Sequence, residues 1–227
     1  MKINLPKIFD YLFPNFTCVA CGDEINVSRN SHICDDCFSQ FCMPASVKVN
    51  ADAKSGDTEK WYFRYSYAPF FYKEPLSNAI MNLKYACDGV VAEAFAPLLA
   101  KCFAGENIEY DMMIPVPLAK NRARQRGYNQ AELLARELSK FIEVVVEAQF
   151  LVKTKNTIPQ EDMTTEQRRE NQKDAFEVVN RELIKGKKIL LVDDVFTSGS
   201  TVNECARVLK RAGVKYVDVV VVARVGR

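Results

Sequence analysis

The chain has 227 residues, which suits one large domain or a medium domain with a small appendage. Hydrophobic residues make up 48% and charged residues 26%, a composition that excludes an intrinsically disordered chain. With 31 basic and 29 acidic residues the net charge is only +2, so an electrostatic partner must be recognised by a local patch and not by overall charge.

The N-terminal sixteen residues do not have the pattern of a targeting segment. Lys2, Lys7 and Asp10 interrupt their apolar residues, and no run anywhere in the chain reaches the length of a membrane span. We therefore expect no signal peptide, no membrane insertion and a cytoplasmic location in which thiols stay reduced.

Four of the eight cysteines form two close pairs, Cys18-x2-Cys21 and Cys34-x2-Cys37. Two such turns supply four thiolates for one tetrahedral ion, so the spacing predicts a structural zinc site. Two disulfides or four buried thiols are the alternatives. His32 is expected to be a bystander, since four sulfurs fill the shell, and the remaining cysteines are expected to be small buried hydrophobes.

The segment after the cysteines has two parts of different composition. Residues 46–60 are small and polar, which predicts a linker or exposed turn. Residues 61–72 hold eight aromatics, with Phe63, Tyr65 and Tyr67 alternating with polar residues. We predict a hairpin packed on the core, with a stacking platform for bases as the alternative.

The middle of the chain alternates between helical and extended patterns. Apolar spacing predicts helices at 76–83 and at 90–103, the second interrupted by Pro97. A strand is predicted at 111–117, then an amphipathic helix with Asn129 as its N-cap, then a strand at 144–151. Residues 153–175 lack apolar periodicity and predict a long exposed loop of functional type.

The C-terminal third predicts one strand–helix–strand unit. The apolar run at 189–192 is typical of a buried parallel strand, and so is the run at 217–223. Val202, Cys205, Ala206 and Leu209 form one helical face between them, and Gly213 is a suitable C-cap.

The residues that carry chemistry lie between that strand and helix, in the string LVDDVFTSGST. Asp193 and Asp194 follow a strand, where ligands of open α/β sheets bind, and we expect Asp194 to be solvent-accessible at the strand end. A turn rich in hydroxyl groups then leads into a helix N-terminus, which suits a phosphate. Carboxylates beside a phosphate cradle suit a ribose 5-phosphate, whose hydroxyls they can bind. The alternative is a solvated acidic strand end with an ordinary helix cap. The turn consists of Thr197, Ser198, Gly199, Ser200 and Thr201.

This string resembles the phosphoribosyl pyrophosphate (PRPP) motif of type I phosphoribosyltransferases. Further segments are similar, in order and spacing, to the ComF/GntX family, although Lys153 and Lys155 stand where that family's pattern has arginines. These segments are the four-cysteine N-terminus, Leu83–Tyr85, Pro115–Leu118, Arg122–Gln130, Thr157–Gln160, Arg168–Asn171 and Ala175–Phe176.

The resemblance implies an α/β chain with the type I phosphoribosyltransferase fold, a parallel sheet flanked by helices, preceded by a small zinc-finger module. It divides the chain into a four-cysteine module at 1–45, a linker and aromatic hairpin at 46–75, and a phosphoribosyltransferase-like domain at 76–227. Asp193 and Asp194 would be the catalytic carboxylates, and these two, the turn 197–201 and Arg126 would bind PRPP together with Mg²⁺. The 153–175 loop would be a hood that excludes water.

The resemblance also implies a role in natural competence: handling of imported single-stranded DNA beside a helicase partner. Two alternatives stay open. One is an ordinary salvage phosphoribosyltransferase with a small acceptor, and the other is a module that binds PRPP or single-stranded DNA without turnover. The acceptor of a transferred phosphoribosyl group is not identified by any residue.

A basic string, Lys120, Arg122, Arg124 and Arg126, has no acidic interruption between Pro115 and Ala131. It could be a solvated helix face, a pyrophosphate site or a groove for DNA phosphates. Because alternating cations cannot all converge on one diphosphate, we predict that Arg122 and Arg124 bind DNA and that Arg126 serves the PRPP site.

Overall fold

The structure, a computed structural model, describes residues 17–25, 32–44, 47–51, 60–85, 89–104, 109–155 and 164–226. The N-terminal segment considered as a signal peptide, Cys87 and the middle of the 153–175 loop lie outside these residues. Within the described residues, no helix is both long enough and apolar enough to cross a membrane.

Eight strands lie within the described ranges, and the longest two are the apolar runs near the C-terminus. They are β1 (Lys48–Asn50), β2 (Tyr65–Tyr67), β3 (Phe70–Phe71), β4 (Met112–Pro115), β5 (Leu151–Lys153), β6 (Phe176–Val178), β7 (Lys188–Phe196) and β8 (Tyr216–Arg224).

The described residues form eight α-helices, the first before β1 and the others between the strands, and a short 3₁₀ turn at Lys101–Phe103 extends the third helix. They are α1 (Asp35–Ser39), α2 (Leu76–Tyr85), α3 (Val90–Ala100), α4 (Lys120–Arg126), α5 (Gln130–Ile142), α6 (Thr165–Gln172), α7 (Arg181–Ile184) and α8 (Ser200–Arg211).

The main sheet has the order β1-β2-β8-β7-β4, with β3 also paired to β8. All of its pairs are parallel except β1 with β2. β7 and β8 are buried on both faces, which explains why their sequences are continuous apolar runs. One face packs on α2, α3, α5 and the cysteine module, and the other packs on α8 and the β5–β6 ribbon.

The aromatic segment packs on the core, but its pairing differs from a simple hairpin. β2 and β3 do not pair with each other; both run parallel to β8, with Ser66 opposite Val219 and Phe70 opposite Ala223. The antiparallel partner of β2 is β1, from the stretch expected to be linker. Short strands at 48–50 and 65–71 therefore extend the main sheet.

The predicted strand at 144–151 is not formed as one element. Val146 makes an isolated parallel bridge to Met113 of β4, held by the Met113 N–H to the Val145 oxygen at 2.7 Å. The chain then turns away, and Leu151–Lys153 pairs with β6 in a separate two-stranded ribbon. The β-branched composition predicted extended backbone correctly but not the change of partner.

Aromatic rings press against the turn between β7 and α8. The ring centroids of Trp61 and Phe196 lie 6.1 Å apart, and those of Trp61 and Phe63 lie 5.2 Å apart. Gly199 begins α8 with φ +79°, and a Cβ placed there would lie 2.5 Å from Phe196 Cζ. A glycine is required at this position because of the aromatic rings as well as the left-handed backbone.

We expect Gly199→Ala to destabilise the protein by roughly 2–4 kcal/mol, the sum of left-handed strain and overpacking. Gly186→Ala is the matched control: its φ is +73°, but nothing lies within 4 Å of an added Cβ. That variant should cost only about 1 kcal/mol. Urea unfolding monitored by far-UV circular dichroism measures both, and equal losses would show that the aromatic contact is unimportant.

Candidate functional site

A pocket of about 330 Å³ opens at the carboxyl ends of β4 and β7. Elements from six parts of the chain surround it, and both apolar and charged side chains line it. The lining residues are Tyr72, Met81, Lys84, Tyr85, Val116, Pro117, Leu118, Ala119, Arg122, Arg126, Gln130, Lys153, Gln172, Asp193, Asp194, Val195, Thr197 and Thr201.

The two predicted carboxylates both reach this pocket, from opposite faces of β7. Successive strand residues point to opposite sides of a sheet. Asp194 faces α2 and α5, where its carboxylate lies 3.3 Å from Lys84 Nζ. Asp193 faces the β5–β6 ribbon and α8, where Lys153 and Cys205 act on it electrostatically. The pocket therefore spans the end of the strand.

Asp194 is only 6% exposed and is held by partners on two helices. Besides Lys84, it accepts a hydrogen bond from Gln130 Nε2 at 3.4 Å, and Arg126 donates to the same Gln130 amide at 3.2 Å. Burial opposes the charge of Lys84, but Asp194 outweighs burial, and the pKa of Lys84 is raised. Sequence reasoning expected Asp194 to be solvent-accessible; the structure corrects this, because α2 and α5 close over the strand end.

Asp193 forms no ion pair within the described part of the chain, although Lys84 acts on it electrostatically. Burial and the neighbouring Asp194 raise the pKa of its carboxyl group well above its usual value, despite the Asp194 N–H that donates to it at 2.9 Å. A carboxyl group in this state favours a partner that donates hydrogen bonds, such as a sugar hydroxyl.

The predicted phosphate turn has the conformation that the sequence suggested. Gly199 precedes α8, and Ser198 Oγ lies 2.7 Å from Ser200 Oγ. Thr197 is exposed and lines the pocket, as does Thr201. The turn therefore presents hydroxyl groups and the first N–H groups of a twelve-residue helix at the same rim as the carboxylates.

The basic string forms helix α4, and the helical period separates its members. Arg122 and Arg126, four residues apart, both line the pocket, whereas Arg124 is exposed and does not. The Arg126 guanidinium also stacks over the Tyr85 ring, 4.9 Å from its centroid. Arg122 thus lines the same pocket as Arg126, and the DNA contacts predicted for Arg122 and Arg124 stay predictions.

Four pocket residues were not identified as functional from the sequence. Lys84, Gln130 and Lys153 were noted only as parts of a family pattern, and Gln172 carried no signal at all. Gln172 is 1% exposed and accepts a hydrogen bond from Lys153 Nζ at 3.1 Å. The 153–175 segment is thus not wholly loop: its described parts include β5 and the helix α6.

A second site is formed by the four N-terminal cysteines. Their sulfur atoms all lie within 4.8 Å of one another, and those of Cys21 and Cys34 are 3.9 Å apart. A tetrahedral zinc–thiolate site has sulfur–sulfur edges of about 3.8 Å, so the arrangement fits a single metal ion. None of the four forms a disulfide. His32 stands apart, 3.8 Å from Glu93.

The electrostatics of these four cysteines, called the quartet below, also favour a bound cation. Burial and the adjacent sulfurs raise the pKa of Cys37, and the pKa of Cys21 is raised to about 11. Burial also opposes ionisation of Cys18, but N–H donors from Cys34 and its neighbours lower the pKa of Cys18 to about 7. Four thiolates this close repel one another unless a metal ion compensates their charge. Of the other cysteines, Cys205 is buried, but Cys42 is exposed, against expectation.

The cysteine module is not structurally independent, because it packs against the rest of the protein. Phe41 meets Phe70 of β3 with 5.2 Å between ring centroids, and Phe38 meets the same ring at 6.5 Å. Asn82 of α2 donates a hydrogen bond to the Val19 oxygen at 2.9 Å. The cysteine module therefore shares a hydrophobic core with α2 and the sheet.

Comparison with known proteins agrees with this architecture. The family described as "Phosphoribosyl transferase domain" matches residues 124–227. Competence protein F of Haemophilus influenzae is 29% identical over 226 residues, covering 93% of this chain and 98% of that protein. Competence protein F is thus a homologue of this chain along almost its whole length.

Other ComF-type relatives extend the same pattern. DNA utilization protein YhgH of Escherichia coli O157:H7 is 36% identical over 155 residues, 65% of this chain and 66% of that protein. Competence protein ComFC of Streptococcus pneumoniae is 25% identical over 228 residues, 87% of this chain and 95% of that protein.

Among solved structures, the glutamine PRPP amidotransferase of B. subtilis matches with a TM-score of 0.41 and 20% identity, over 63% of this chain and 30% of that one. Such a similarity is too low to inform the site. The family match and the parallel sheet nevertheless establish the predicted fold: a type I phosphoribosyltransferase domain with an N-terminal four-cysteine cluster.

We expect one metal ion per chain in this ComF-type protein, and near-complete loss of metal in Cys21→Ser. Because the module shares the core of the sheet, loss of metal should lower the melting temperature of the whole protein in one transition and not unfold the module alone. Metal analysis and calorimetry measure the two effects. Cys42→Ser, an exposed cysteine outside the quartet, is the control and should keep its metal. Wild-type protein free of metal after purification without chelator would contradict the site.

Proposed function

We propose that the pocket binds PRPP with Mg²⁺ and that the protein transfers its phosphoribosyl group. One observation carries this proposal: the paired carboxylates of β7 and the hydroxyl-rich turn before α8 line a single pocket that also holds four basic side chains. A ligand with a ribose and several phosphates matches this combination. The basic side chains are those of Lys84, Arg122, Arg126 and Lys153.

In this arrangement Asp193 and Asp194 accept hydrogen bonds from the ribose hydroxyls, and the turn 197–201 receives the 5′-phosphate at the helix N-terminus. Arg122 and Arg126 lie where a diphosphate would extend toward α4. Mg²⁺ bound with PRPP would neutralise part of the diphosphate charge. The protein's contribution is to orient the sugar and to neutralise the leaving group, which requires no nucleophilic serine or cysteine.

The transfer itself breaks the bond from C1 of the ribose to pyrophosphate and forms a bond from C1 to an acceptor, which loses a proton. Consumption of PRPP in the presence of single-stranded DNA, nucleobases or ammonia separates three functions. Turnover with a nucleobase alone favours a salvage enzyme. Binding without turnover under every condition favours a module that senses PRPP.

We further propose that the protein acts in the cytoplasm during DNA uptake, on single-stranded DNA and beside a helicase. The names of its relatives, competence protein and DNA utilization protein, support this proposal. Arg124 is exposed on the outer face of α4, away from the pocket, and is the residue of the basic string best placed for a DNA phosphate.

The metal of the cysteine quartet is proposed to be zinc. Four thiolate ligands in a closed tetrahedral shell are typical of structural zinc sites, and the described sulfur positions leave no open coordination place for a substrate. Its role here is to fix the module against β3 and α2.

We expect PRPP to bind in the presence of Mg²⁺ and to lose about 10- to 100-fold in affinity on Asp193→Asn, since the amide is uncharged and offers one acceptor oxygen where the carboxylate offers two. Isothermal titration calorimetry with and without chelator measures this. Asp111→Asn is the matched control, because Asp111 stands at the opposite end of the sheet, where it accepts a hydrogen bond from the Lys188 N–H. Unchanged affinity in Asp193→Asn would remove the ribose assignment.

Asp194→Asn is expected to weaken PRPP binding as well, but also to lower the stability of the free protein. It leaves Lys84, whose side chain is 22% exposed, without its carboxylate partner. For this reason Asp193→Asn is the cleaner test of ligand binding.

For DNA, we expect Arg124→Ala to lower the slope of log K against log salt by roughly 0.7, the value for one phosphate contact of a single strand. Fluorescence anisotropy of an oligonucleotide at several salt concentrations measures the slope. Arg136→Ala is the control, since Arg136 is also exposed but paired with Glu132 at 2.6 Å. Arg122→Ala should weaken PRPP and leave the slope unchanged. If Arg124→Ala does not change this salt slope, the exposed face of α4 is a solvated surface that does not contact DNA.

A further inference from the structure

Two lysines line the pocket in opposite electrostatic situations. Lys84 is paired with Asp194. Lys153, from β5, has its Nζ 3.1 Å from the Gln172 amide oxygen and 4.9 Å from the centroid of the Phe176 ring. Among the described residues, no carboxylate forms an ion pair with Lys153. Asp193 and Cys205 therefore act on the Lys153 charge only through electrostatic interaction and not through direct pairing.

The charged and titratable groups around Lys153 come from three elements. Arg122 of α4 has the same sign and disfavours the lysine charge, while Asp193 of β7 and Cys205 of α8 favour it. The help from Asp193 is limited, because the pKa of its own carboxyl group is raised. Burial, reinforced by Arg122, therefore lowers the pKa of Lys153 to about 8.

Gln172 orients this lysine. It ends α6, is 1% exposed, lines the pocket and gives its amide oxygen to Lys153 Nζ. A neutral amide can direct the amino group without cancelling its charge. Lys153 and Arg122 both line the pocket and are close enough to disfavour each other's charge.

We propose that Lys153, positioned by Gln172, contacts the diphosphate of the ligand and so ties helix α6 to the occupied pocket. This inference rests on the proposed function, which names the ligand as PRPP, but it assigns a residue that the PRPP motif does not include. An anion between Lys153 and Arg122 relieves their repulsion and supplies the missing counter-charge.

The contact predicts a proton uptake. An anion raises the pKa of Lys153, so at pH 7, where the free lysine is already protonated, binding takes up few protons. At pH 9 the free lysine is mostly neutral and must gain a proton before it can bind the anion. Affinity should therefore fall about tenfold between pH 7 and pH 9, as expected for a free pKa near 8.

The experiment is calorimetry at both pH values in two buffers of different ionisation enthalpy, with Mg²⁺–PRPP and separately with Mg²⁺–pyrophosphate as probes. Lys153→Arg keeps the charge but cannot titrate, so it should bind with no extra proton uptake at pH 9 and without the tenfold loss. Lys153→Met should weaken both probes by roughly 10- to 100-fold at pH 7, the range for a lost charge-assisted hydrogen bond.

Two further variants test whether the effect depends on the position of Lys153 in the pocket. Lys155→Met is the matched control: this lysine is exposed, donates to the Lys173 oxygen at 3.2 Å and does not line the pocket. It should bind like wild type. Gln172→Leu should weaken binding in the wild-type background and have no further effect in Lys153→Met, since it acts through the lysine.

The outcomes separate this inference from the proposed function. If pyrophosphate binds with uptake that depends on Lys153 but PRPP does not bind, the PRPP proposal fails and the lysine assignment stands. If PRPP binds and Lys153→Arg takes up as many protons as wild type, the assignment is overturned and PRPP binding stands. If neither probe binds, both fail. Should Lys153→Met not fold, the comparison of wild type with Lys153→Arg still decides.

Discussion

The structure of the pocket depends on β7, a strand that is buried on both faces yet carries adjacent carboxylates near its end. Buried carboxylates need polar partners. Strand geometry sends Asp193 and Asp194 to opposite faces. Each face of the sheet must therefore supply its own polar partners. Lys84 and Gln130 contact Asp194, while Asp193 accepts the Asp194 N–H and lies within electrostatic reach of Lys84 and Lys153. The pocket lies across the strand end because both sets converge there.

The two faces of the sheet differ in the polar partners that they supply to these carboxylates. On the side of α2 and α5, Asp194 has an ion pair and an amide donor, which is the pattern of a carboxylate fixed in place. On the other side, Asp193 and Lys153 are both shifted away from their charged forms by burial. The Asp194 side of the pocket thus has its charge paired without a ligand. The Asp193 side would be stabilised by a bound ligand.

The elements predictable from the sequence were those with a local signal. β7, α8 and β8 are continuous patterns in which burial on both faces or on one helical stripe leaves a clear period. The motif between them placed the carboxylates and the turn correctly. The cysteine spacing likewise fixed the quartet, because two short turns bring the sulfurs together without long-range packing.

What the sequence did not reveal depends on packing between distant segments. Lys84 and Asp194 are 110 positions apart, and Lys153 meets Gln172 only because β5 pairs with β6. The change of partner after Val146 is of the same kind, since β-branched composition predicts extended backbone but not its neighbour. Gly199 shows a similar limit, because one of the aromatic rings that require a glycine there, Trp61, comes from a distant segment of the chain.

Helix α2 connects the two sites. Its Asn82 side chain binds the Val19 carbonyl beside the first cysteine, and two residues later Lys84 pairs with Asp194. Tyr128 fixes the same helix end by donating to the Leu83 oxygen at 2.7 Å. Because Leu76, Ile80 and Leu83 are fully buried against the core, the helix cannot shift at one end without moving the other. The packing of the cysteine module therefore helps to set the position of a pocket lysine, which gives this module a structural reason to share its core with the phosphoribosyltransferase domain.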